Sequence, residues 1–161
     1  LREGTAVRAT AVPCLVSGDD PMPCLDVTMP ERDRKTREAL AVALTEAFVQ
    51  STGFEGDIFS IRFCGYRPGE AATGGKLWKG KKDVPHLHLV LSCPRLRRSQ
   101  KRAVVESMTA AFARAVGRPD WKPVIHIAEH PYDNVGVAGK LLSDAFEECA
   151  KREFYYPLPK D

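Results

Sequence analysis

Apolar and polar residues alternate along two stretches of the chain, and each alternation predicts a short strand. Residues 25–29 alternate with a period of two, and residues 86–91 begin in the same way. Successive side chains on a strand point to opposite faces, so each stretch has one face suited to burial. Residues 58–63 and 124–127 are further apolar stretches that predict strands. The pattern therefore indicates four strands, arranged as two pairs along the chain.

Between the two strands of each pair, apolar residues recur at helical spacing. Such spacing places them on one face of a helix that packs against the sheet. Gly53 and Gly117 stand where each helix is expected to end, because glycine readily adopts the left-handed cap conformation. A helical connection between two strands favours a parallel, right-handed βαβ unit. The apolar positions are Leu40, Leu44, Ala47 and Phe48 in the first helix, and Val104, Met108, Ala111, Phe112 and Ala115 in the second.

The whole pattern repeats after 64 residues. A shift of that length, without a gap, gives twelve identities in the 55 pairs that join residues 23–77 to residues 87–141. Composition alone would give about three or four identities, so we interpret the repeat as a duplicated structural unit. The identical pairs are Leu25/Leu89, Pro30/Pro94, Arg34/Arg98, Ala39/Ala103, Thr45/Thr109, Ala47/Ala111, Phe48/Phe112, Gly53/Gly117, Ile61/Ile125, Gly75/Gly139, Lys76/Lys140 and Leu77/Leu141.

Two tandem βαβ units predict a two-layer α/β domain, with a four-stranded sheet and both helices on one face. We expect the other face of the sheet to carry apolar side chains and to be buried against other copies of the chain, which predicts an oligomer. A ferredoxin-like domain, often an RNA-binding fold, has the same order of elements. The gapless repeat and the absence of an aromatic RNP-type run on a central strand argue against it.

The expected boundaries follow from the repeat. Residues 23–161 form a single domain, with βαβ units at 23–77 and 87–141. Residues 142–161 follow as a short helix, over residues 143–153, and an extended tail. Residues 1–22 show no clear period, and we interpret them as a disordered extension or as sequence upstream of the true start, the second being favoured.

Composition excludes several classes of function. The net charge is +3, and charges of both signs are interspersed, which argues against nucleic acid or a membrane surface as a partner. No apolar run approaches the ~20 residues of a transmembrane helix, and no charged-then-apolar leader precedes the domain. The five cysteines are scattered without metal-ligand spacing, which predicts free thiols in a reducing cytoplasm and no zinc site.

Residues 22–30, with the sequence MPCLDVTMP, look like a true amino terminus inside the longer chain. Removal of an initiator methionine would leave Pro23 with a secondary amine, which an apolar pocket can adapt for acid-base chemistry near neutral pH. If residues 1–22 stay attached, the nitrogen of Pro23 is an amide without useful basicity. The structural alternative is a proline that simply opens a strand.

A basic cluster, residues 95–102 with the sequence RLRRSQKR, opens the second predicted helix. Cations at a helix N-terminus oppose the helix dipole. The same helix end attracts anions through its free N–H groups, and an arginine pair there can hold a carboxylate through two parallel hydrogen bonds. We therefore predict anion binding by this cluster, with a solvated basic face as the structural alternative.

Residues 23–141 resemble the fused, two-unit members of the tautomerase superfamily, whose catalytic group is an N-terminal proline. Residues 92–95 (SCPR), followed by Gln-Lys, are similar to the opening of the second unit in the malonate semialdehyde decarboxylases. Residues 67–70 (RPGE) are similar to a motif after the second strand of that family. Residues 95–99 contain two arginines three apart before a serine, as in the cis-3-chloroacrylic acid dehalogenases.

The resemblance implies roles for five residues. Pro23 would be the catalytic acid or base, and Arg95 and Arg98 would bind the carboxylate of the substrate. Arg62 is similar to a carboxylate-binding arginine of the one-unit 4-oxalocrotonate tautomerases. Asp57 lies close to the catalytic aspartate of the decarboxylases, and its structural alternative is a turn aspartate before the second strand.

The chain also departs from these families. Phe48, Val137 and His126 stand where the dehalogenases have a histidine, a water-activating glutamate and a tyrosine. A dehalogenase mechanism therefore lacks its water-activating group. Cys93 replaces one of two arginines of the decarboxylases.

Four histidines lie on or near the predicted strands. His86 and His88 alternate on the third strand, and His126 and His130 lie on or after the fourth. Parallel neighbouring strands would bring His88 and His126 together, an arrangement that suits a metal ion. No acidic residue or thiol completes such a site in the sequence, and we interpret all four as ordinary strand residues, with no metal.

The resemblance implies a homotrimer with one proline site per chain, because Leu87 stands where the first unit has Pro23. The expected activity is keto-enol tautomerisation of a 2-oxo acid, without a cofactor. A second interpretation is a decarboxylase or hydratase of a 3-oxo or unsaturated acid, with protonated Pro23 and Asp57 as partners. A third is a non-catalytic binding protein with a blocked proline. Glu129 and Tyr66 are further candidates for polar groups in the pocket.

Overall fold

A computed structural model of the chain describes residues 23–80 and 83–145. The expectations for residues 1–22 and for the C-terminal tail lie outside the described residues. The predicted helix over residues 143–153 falls partly outside them, and its described beginning is a 3₁₀ turn at Leu142–Ala145. Within the described ranges, no helix combines the length and the apolar character needed to cross a membrane.

The elements repeat with the same 64-residue offset as the sequence. The first unit contains strand β1 (Cys24–Pro30), helix α1 (Arg34–Thr52), strand β2 (Ser60–Tyr66) and a small hairpin of β3 (Ala72–Thr73) and β4 (Lys76–Leu77). The second unit contains strand β5 (His88–Cys93), helix α2 (Arg98–Val116), strand β6 (Val124–Glu129) and a hairpin of β7 (Gly136–Val137) and β8 (Lys140–Leu141).

The four long strands form one sheet in the order β2-β1-β5-β6. Strands β1 and β2 are parallel, as are β5 and β6, whereas β1 and β5 are antiparallel at the centre. The predicted architecture of tandem βαβ units with a four-stranded sheet is confirmed. Because the central pair is antiparallel, the two units are related by a local two-fold rotation, and each end of the sheet collects the starts of two strands and the ends of the other two.

The ends of both helices follow from local sequence. Asp33 caps α1 by accepting the N–H of Thr36 at 2.7 Å. Gln100 caps α2 by accepting the N–H of Arg97 at 2.9 Å, and its amide donates to the carbonyl of Thr52 at 3.0 Å, so the start of α2 is fixed to the end of α1. Both helices stop at the predicted glycines, which have φ angles of 76° and 67°.

The core lies between the sheet and the two helices. Leu25, Val27 and Met29 alternate on β1 and are buried against the helices, and β5 contributes the equivalent positions. Phe48 of α1 stacks on Phe59, with ring centroids 4.1 Å apart. Full burial of a large apolar side chain stabilises a fold by roughly 1.5–3 kcal/mol, so this layer holds the helices on the sheet.

The opposite face of the sheet differs from the expectation. It was predicted to be apolar, and it is mostly polar, because the strands alternate and their second set of positions holds few large apolar residues. Asp26 and Arg62 form an ion pair there, and His88 contacts His126. A neighbouring copy that covers this face would therefore meet hydrogen-bonding groups. The face consists of Cys24, Asp26, Thr28, Ser60, Arg62, Cys64, His88, Val90, Ser92, Val124, His126 and Ala128.

Candidate active site

Pro23 lies directly before β1 and is buried. Its carbonyl oxygen accepts the N–H of Ser60 at 3.2 Å, which fixes the position of the residue against the start of β2. On the other side, Cys24 pairs with Ser92 in the antiparallel register. Pro23 is therefore next to the point where β5 ends at Cys93.

The sheet topology brings most of the predicted site residues to one edge. The starts of β1 and β2 and the ends of β5 and β6 share this edge, because the two strand pairs run in opposite directions. Pro23 and Asp57 lie at the starts, and Cys93, Arg95 and Glu129 lie at the ends. These five residues define what we call the Pro23 edge.

Glu129, the last residue of β6, organises this edge. Its Oε1 accepts the backbone N–H of Leu96 at 3.1 Å and lies 2.7 Å from Nζ of Lys101. Its Oε2 lies 3.9 Å from Nε of Arg95. The Glu129 side chain is only 22 % exposed, so its charge is poorly solvated and the two cations compensate for it. The carboxylate thus fixes the connection between β5 and α2.

Arg95 and Arg98 belong to this connection and to the first turn of α2. The Arg95 side chain is 39 % exposed, so its guanidinium is held by Glu129 at the rim of the site and still reaches solvent. Arg98 is the first residue of α2 and is exposed. The predicted carboxylate ligands therefore lie at the same end of the fold as Pro23, at the N-terminus of a helix, whose dipole attracts an anion.

Asp57 lies at the same edge but on its exposed side. It is the middle residue of a 3₁₀ turn, Gly56–Ile58, that leads into β2. The residues after it, Ile58 and Phe59, are buried and anchor the turn. An exposed turn position is what we expect if Asp57 is a turn aspartate and not a catalytic residue. The turn nevertheless lies near Pro23, because Ser60 at the start of β2 donates its N–H to the Pro23 carbonyl.

Arg62 is placed in β2 as predicted, on the polar face of the sheet. It forms two hydrogen bonds to Asp26, with Nε to Oδ1 and Nη2 to Oδ2 distances of 2.9 Å each. These hydrogen bonds raise the pKa of Arg62 above its ordinary value. The Nε and Nη2 edge of this guanidinium is thus occupied by Asp26, so a substrate that binds at that edge would have to displace an internal carboxylate.

Cys93 lies at the end of β5, buried and adjacent to Pro23 in register. Burial and the nearby Glu129 carboxylate raise the pKa of its thiol to about 12. The thiol therefore stays protonated at neutral pH. A neutral, buried group cannot replace the charge of the arginine that the decarboxylases have at this position.

The predicted approach of His88 and His126 is confirmed. Nε2 of His88 lies 3.2 Å from Nδ1 of His126, and the rings meet edge to face with centroids 4.5 Å apart. His86 is a third neighbour, 5.7 Å from His88 between ring centroids. Burial and the two neighbouring rings lower the pKa of His88. Within residues 23–80 and 83–145, no three His, Cys, Asp or Glu side chains form a group that could hold a metal ion.

Glu129 and Tyr66, which the sequence suggested as polar groups of the pocket, both make defined contacts in the structure. Lys101 was not predicted individually. Tyr66 donates its hydroxyl to the carbonyl of His86, and burial raises its pKa to about 12, so it is a structural link between β2 and the segment before β5. Lys101 was visible only as one charge of the basic cluster. No local pattern distinguished it from the other cations of the cluster, because its partner Glu129 is 28 positions away in the chain.

Residues 85–145 match the family described as Tautomerase enzyme. No curated protein sequence matches the chain. Among solved structures, a fused 4-OT is 20 % identical over 76 % of this chain and 98 % of its own, with a TM-score of 0.68. Malonate semialdehyde decarboxylase is 18 % identical over 78 % of this chain and 98 % of its own, with a TM-score of 0.63.

A third similar structure is N1, a member of the cis-3-chloroacrylic acid dehalogenase family. It is 20 % identical over 81 % of this chain and 92 % of its own, with a TM-score of 0.62. Identities at this level establish the fold, and the family match covers the second unit by sequence. Together they confirm the resemblance stated above: the second unit matches the tautomerase family by sequence, and the chain shares the fold of a fused 4-OT, of malonate semialdehyde decarboxylase and of the dehalogenase-family protein N1.

Proposed function

We propose that this protein is a tautomerase that moves a proton between carbon and oxygen of a 2-oxo acid and its enol, with the amine of Pro23 as general base. The observation that carries the proposal is the sheet register, which brings Pro23 to the same edge as Arg95. A base and a carboxylate-binding group on one rigid edge are what a small oxo acid needs for proton transfer.

In the proposed mechanism, Arg95 and Arg98 hold the substrate carboxylate at the start of α2. The neutral amine of Pro23 removes a proton from the enol oxygen or from the carbon next to the carbonyl, and then returns it to the other atom. The arginines and the helix N-terminus stabilise the negative charge that develops on the enolate. Glu129 contributes by keeping Arg95 and Lys101 in place.

We also propose a homotrimer. Two of the similar structures are fused 4-OT trimers, one symmetric and one asymmetric. In this chain, the polar face of the sheet offers paired groups, such as Asp26 with Arg62, that a neighbouring copy can cover without leaving an unpaired charge. The free thiols of Cys24, Cys64 and Cys93 suit the reducing compartment expected for the protein.

A second candidate is decarboxylation or hydration of a 3-oxo or unsaturated acid. The similarity to malonate semialdehyde decarboxylase and the position of Asp57 at the Pro23 edge favour it. In that mechanism Pro23 is protonated and acts as an acid. The rate would then stay level at low pH and fall above the pKa of the amine, whereas the tautomerase mechanism gains rate as the amine loses its proton.

The third candidate is a non-catalytic binding protein in which Pro23 is blocked by the residues before it. It predicts that the mature chain still carries residues 1–22. Its positive test is salt-sensitive binding of nucleic acid through the basic cluster at residues 95–102.

The decisive experiment compares two chains that differ by one residue at the amino terminus. One begins at Met22, so that removal of the methionine exposes Pro23. The other has an alanine inserted between Met22 and Pro23, so that the same fold carries an amide nitrogen. Intact mass establishes both termini, and the ketonisation of phenylenolpyruvate is followed by absorbance.

We expect activity from the first chain, and a loss of about 10²-fold or more in the second chain and in Pro23→Ala. Arg95→Gln is expected to raise KM by at least about tenfold, and Arg102→Gln, an exposed arginine of the same helix, to change it little. Equal rates from the free and blocked chains would exclude the proline mechanism. Intact mass of the protein from its native gene then tells whether the free amine exists naturally.

A further inference from the structure

The two carboxylate oxygens of Glu129 are used unequally. Its Oε1 has two donors, the N–H of Leu96 at 3.1 Å and Nζ of Lys101 at 2.7 Å. Its Oε2 lies 3.9 Å from Nε of Arg95, which is too long for a hydrogen bond. Within residues 23–80 and 83–145, no donor makes a hydrogen bond to Oε2. A carboxylate oxygen readily accepts hydrogen bonds, so Oε2 has the capacity to bind a ligand.

The sheet register places Glu129 across the Pro23 edge from Pro23 itself. Cys93 pairs with Glu129 on one side, and the register of β1 with β5 places Pro23 on its other side. Neighbouring strands are about 4.8 Å apart, so roughly 10 Å separates the Cα atoms of Pro23 and Glu129. The Glu129 carboxylate helps to raise the pKa of the Cys93 thiol, so its charge acts in the space between them. That space suits a small oxo acid.

The charges of this edge allow a second carboxylate beside Glu129. The connection after β5 and the first turn of α2 carry three cations, Arg95, Arg98 and Lys101, whereas Glu129 supplies one negative charge. A substrate carboxylate can therefore enter without leaving an uncompensated negative charge. The Glu129 side chain is 22 % exposed, so it is not sealed from an incoming ligand.

The chemistry of the substrate determines what Oε2 can bind. In the proposed function, on which this inference rests, Arg95 holds the carboxylate of the substrate. The oxygen on carbon 2 is next to that carboxylate, and it is therefore close to the Glu129 oxygen that lies 3.9 Å from Arg95. A carboxylate only accepts hydrogen bonds. The enol form can donate an O–H from carbon 2, whereas the keto form presents a second acceptor there.

We propose that Oε2 of Glu129 accepts a hydrogen bond from the hydroxyl group on carbon 2 of the substrate. Glu129 is then a specificity-determining residue as well as a structural one. The site selects the enol, and other 2-hydroxy acids, over 2-oxo acids. With its carboxylate at Arg95 and its hydroxyl at Glu129, the enol directs carbon 3, which receives the proton, toward Pro23.

Glu129→Gln should convert this acceptor into a donor. The Leu96 N–H and the Lys101 ammonium are both donors, so they retain the amide oxygen on their side. The amide nitrogen then takes the place of Oε2. An N–H at this position favours a carbonyl on carbon 2 over a hydroxyl that needs an acceptor.

The test is equilibrium binding of two acids to the chain that begins at Met22, measured by isothermal titration calorimetry. Mandelate has a hydroxyl on carbon 2, and benzoylformate, of the same size and charge, has a carbonyl there. Neither can be tautomerised, because benzoylformate has no hydrogen on the carbon next to its carbonyl. We expect the preferred enantiomer of mandelate to bind at least about tenfold more tightly, since a hydrogen bond to a charged group is a strong one. Glu129→Gln should abolish or reverse this preference.

Two further variants separate the hydroxyl contact from other effects. Glu106→Gln, an exposed change on α2, should keep the preference for mandelate. Arg95→Gln should weaken both acids by a similar factor, because it acts on the carboxylate that they share. Denaturant unfolding checks that each variant is folded.

The results that would overturn the proposal differ from those that would overturn the proposed function. Equal affinity of the unsubstituted chain for the two acids would exclude the role of Glu129 and leave the proline mechanism standing. An undiminished preference in folded Glu129→Gln would exclude it as well. Binding of neither acid at millimolar concentration would exclude the carboxylate site at Arg95, on which both proposals depend.

Discussion

The Nζ of Lys101 lies 2.7 Å from Oε1 of Glu129, so the first turn of α2 is joined to the last residue of β6. The two residues are 28 positions apart in the chain, and nothing in local pattern connects them. The same carboxylate oxygen accepts the N–H of Leu96. One side chain therefore fixes the segment that carries Arg95 to the sheet.

Glu129→Ala is expected to destabilise the fold by about 1–3 kcal/mol, because it leaves the partly buried Leu96 N–H without its acceptor. Glu129→Gln keeps an oxygen for that N–H and loses the ion pair with Lys101, so it should cost less, about 1 kcal/mol. Denaturant unfolding measures both variants. Glu106→Gln, an exposed change on the same helix, is the control, and equal losses in the two Glu129 variants would contradict this assignment.

Phe48→Ala should lower the free energy of unfolding by about 3–5 kcal/mol. The ring is fully buried between α1 and the sheet and stacks on Phe59 with centroids 4.1 Å apart, so truncation leaves a cavity. Val42→Ala in the same helix is the matched control, because Val42 is 59 % exposed, and we expect a change within about 0.5 kcal/mol. Urea unfolding compares them. A small loss at Phe48 would mean that the core repacks around the missing ring.

The stability of the fold should fall as the pH drops below about 6.5, the ordinary pKa of histidine. Burial and the rings of His126 and His86 lower the pKa of His88, so the unfolded chain takes up this proton more readily than the folded chain. The stability that neutral His88 contributes is therefore fully present above the pKa of His88 in the unfolded chain, and it is lost as the pH falls through the pKa of His88 in the folded chain.

His88→Gln is therefore expected to reduce the difference between the unfolding free energies at pH 7.5 and pH 5. His130→Gln is the control, because His130 follows β6 at the end of the strand away from His88. Its backbone N–H, which the substitution keeps, donates to the carbonyl of Cys93 at 2.9 Å. An unchanged pH dependence in His88→Gln would assign the effect to other groups.

Thiol labelling should separate Cys93 from Cys64. The thiolate is the reactive form, and burial raises the pKa of Cys93 to about 12, whereas Cys64 is exposed on β2. Brief treatment with iodoacetamide at neutral pH should leave Cys93 free, as read from peptide masses, and should modify Cys64 to the extent that a neighbouring copy leaves its face of the sheet uncovered. Addition of denaturant should make Cys93 reactive. Rapid labelling of Cys93 in the native state would contradict the burial on which its protonated state depends.

Much of the fold could be predicted from short-range pattern. The helix ends at Gly53 and Gly117, the buried alternation of β1 and the 64-residue repeat were all visible, because each depends on spacing along the chain. The pairing of His88 with His126 also followed, once the strands of a βαβ unit were taken as parallel.

Other features depended on which strands meet. The antiparallel junction of β1 and β5 is set by how two complete units pack, and it alone brings Pro23 beside Cys93 and Arg95. The expected apolar outer face of the sheet was wrong, because the second set of alternating strand positions holds few large apolar residues. That Asp26 and Arg62 form an ion pair on this face followed only from the register of their strands. Glu129 and Gly65 occupy equivalent places in the repeat, yet only the fold shows that the Glu129 carboxylate joins β6 to α2, whereas the Glu31 side chain packs against Gly65. Secondary structure depends on residues that are close together in the chain. The partner of a charged side chain depends on strand register and on the packing of segments that are far apart in the chain.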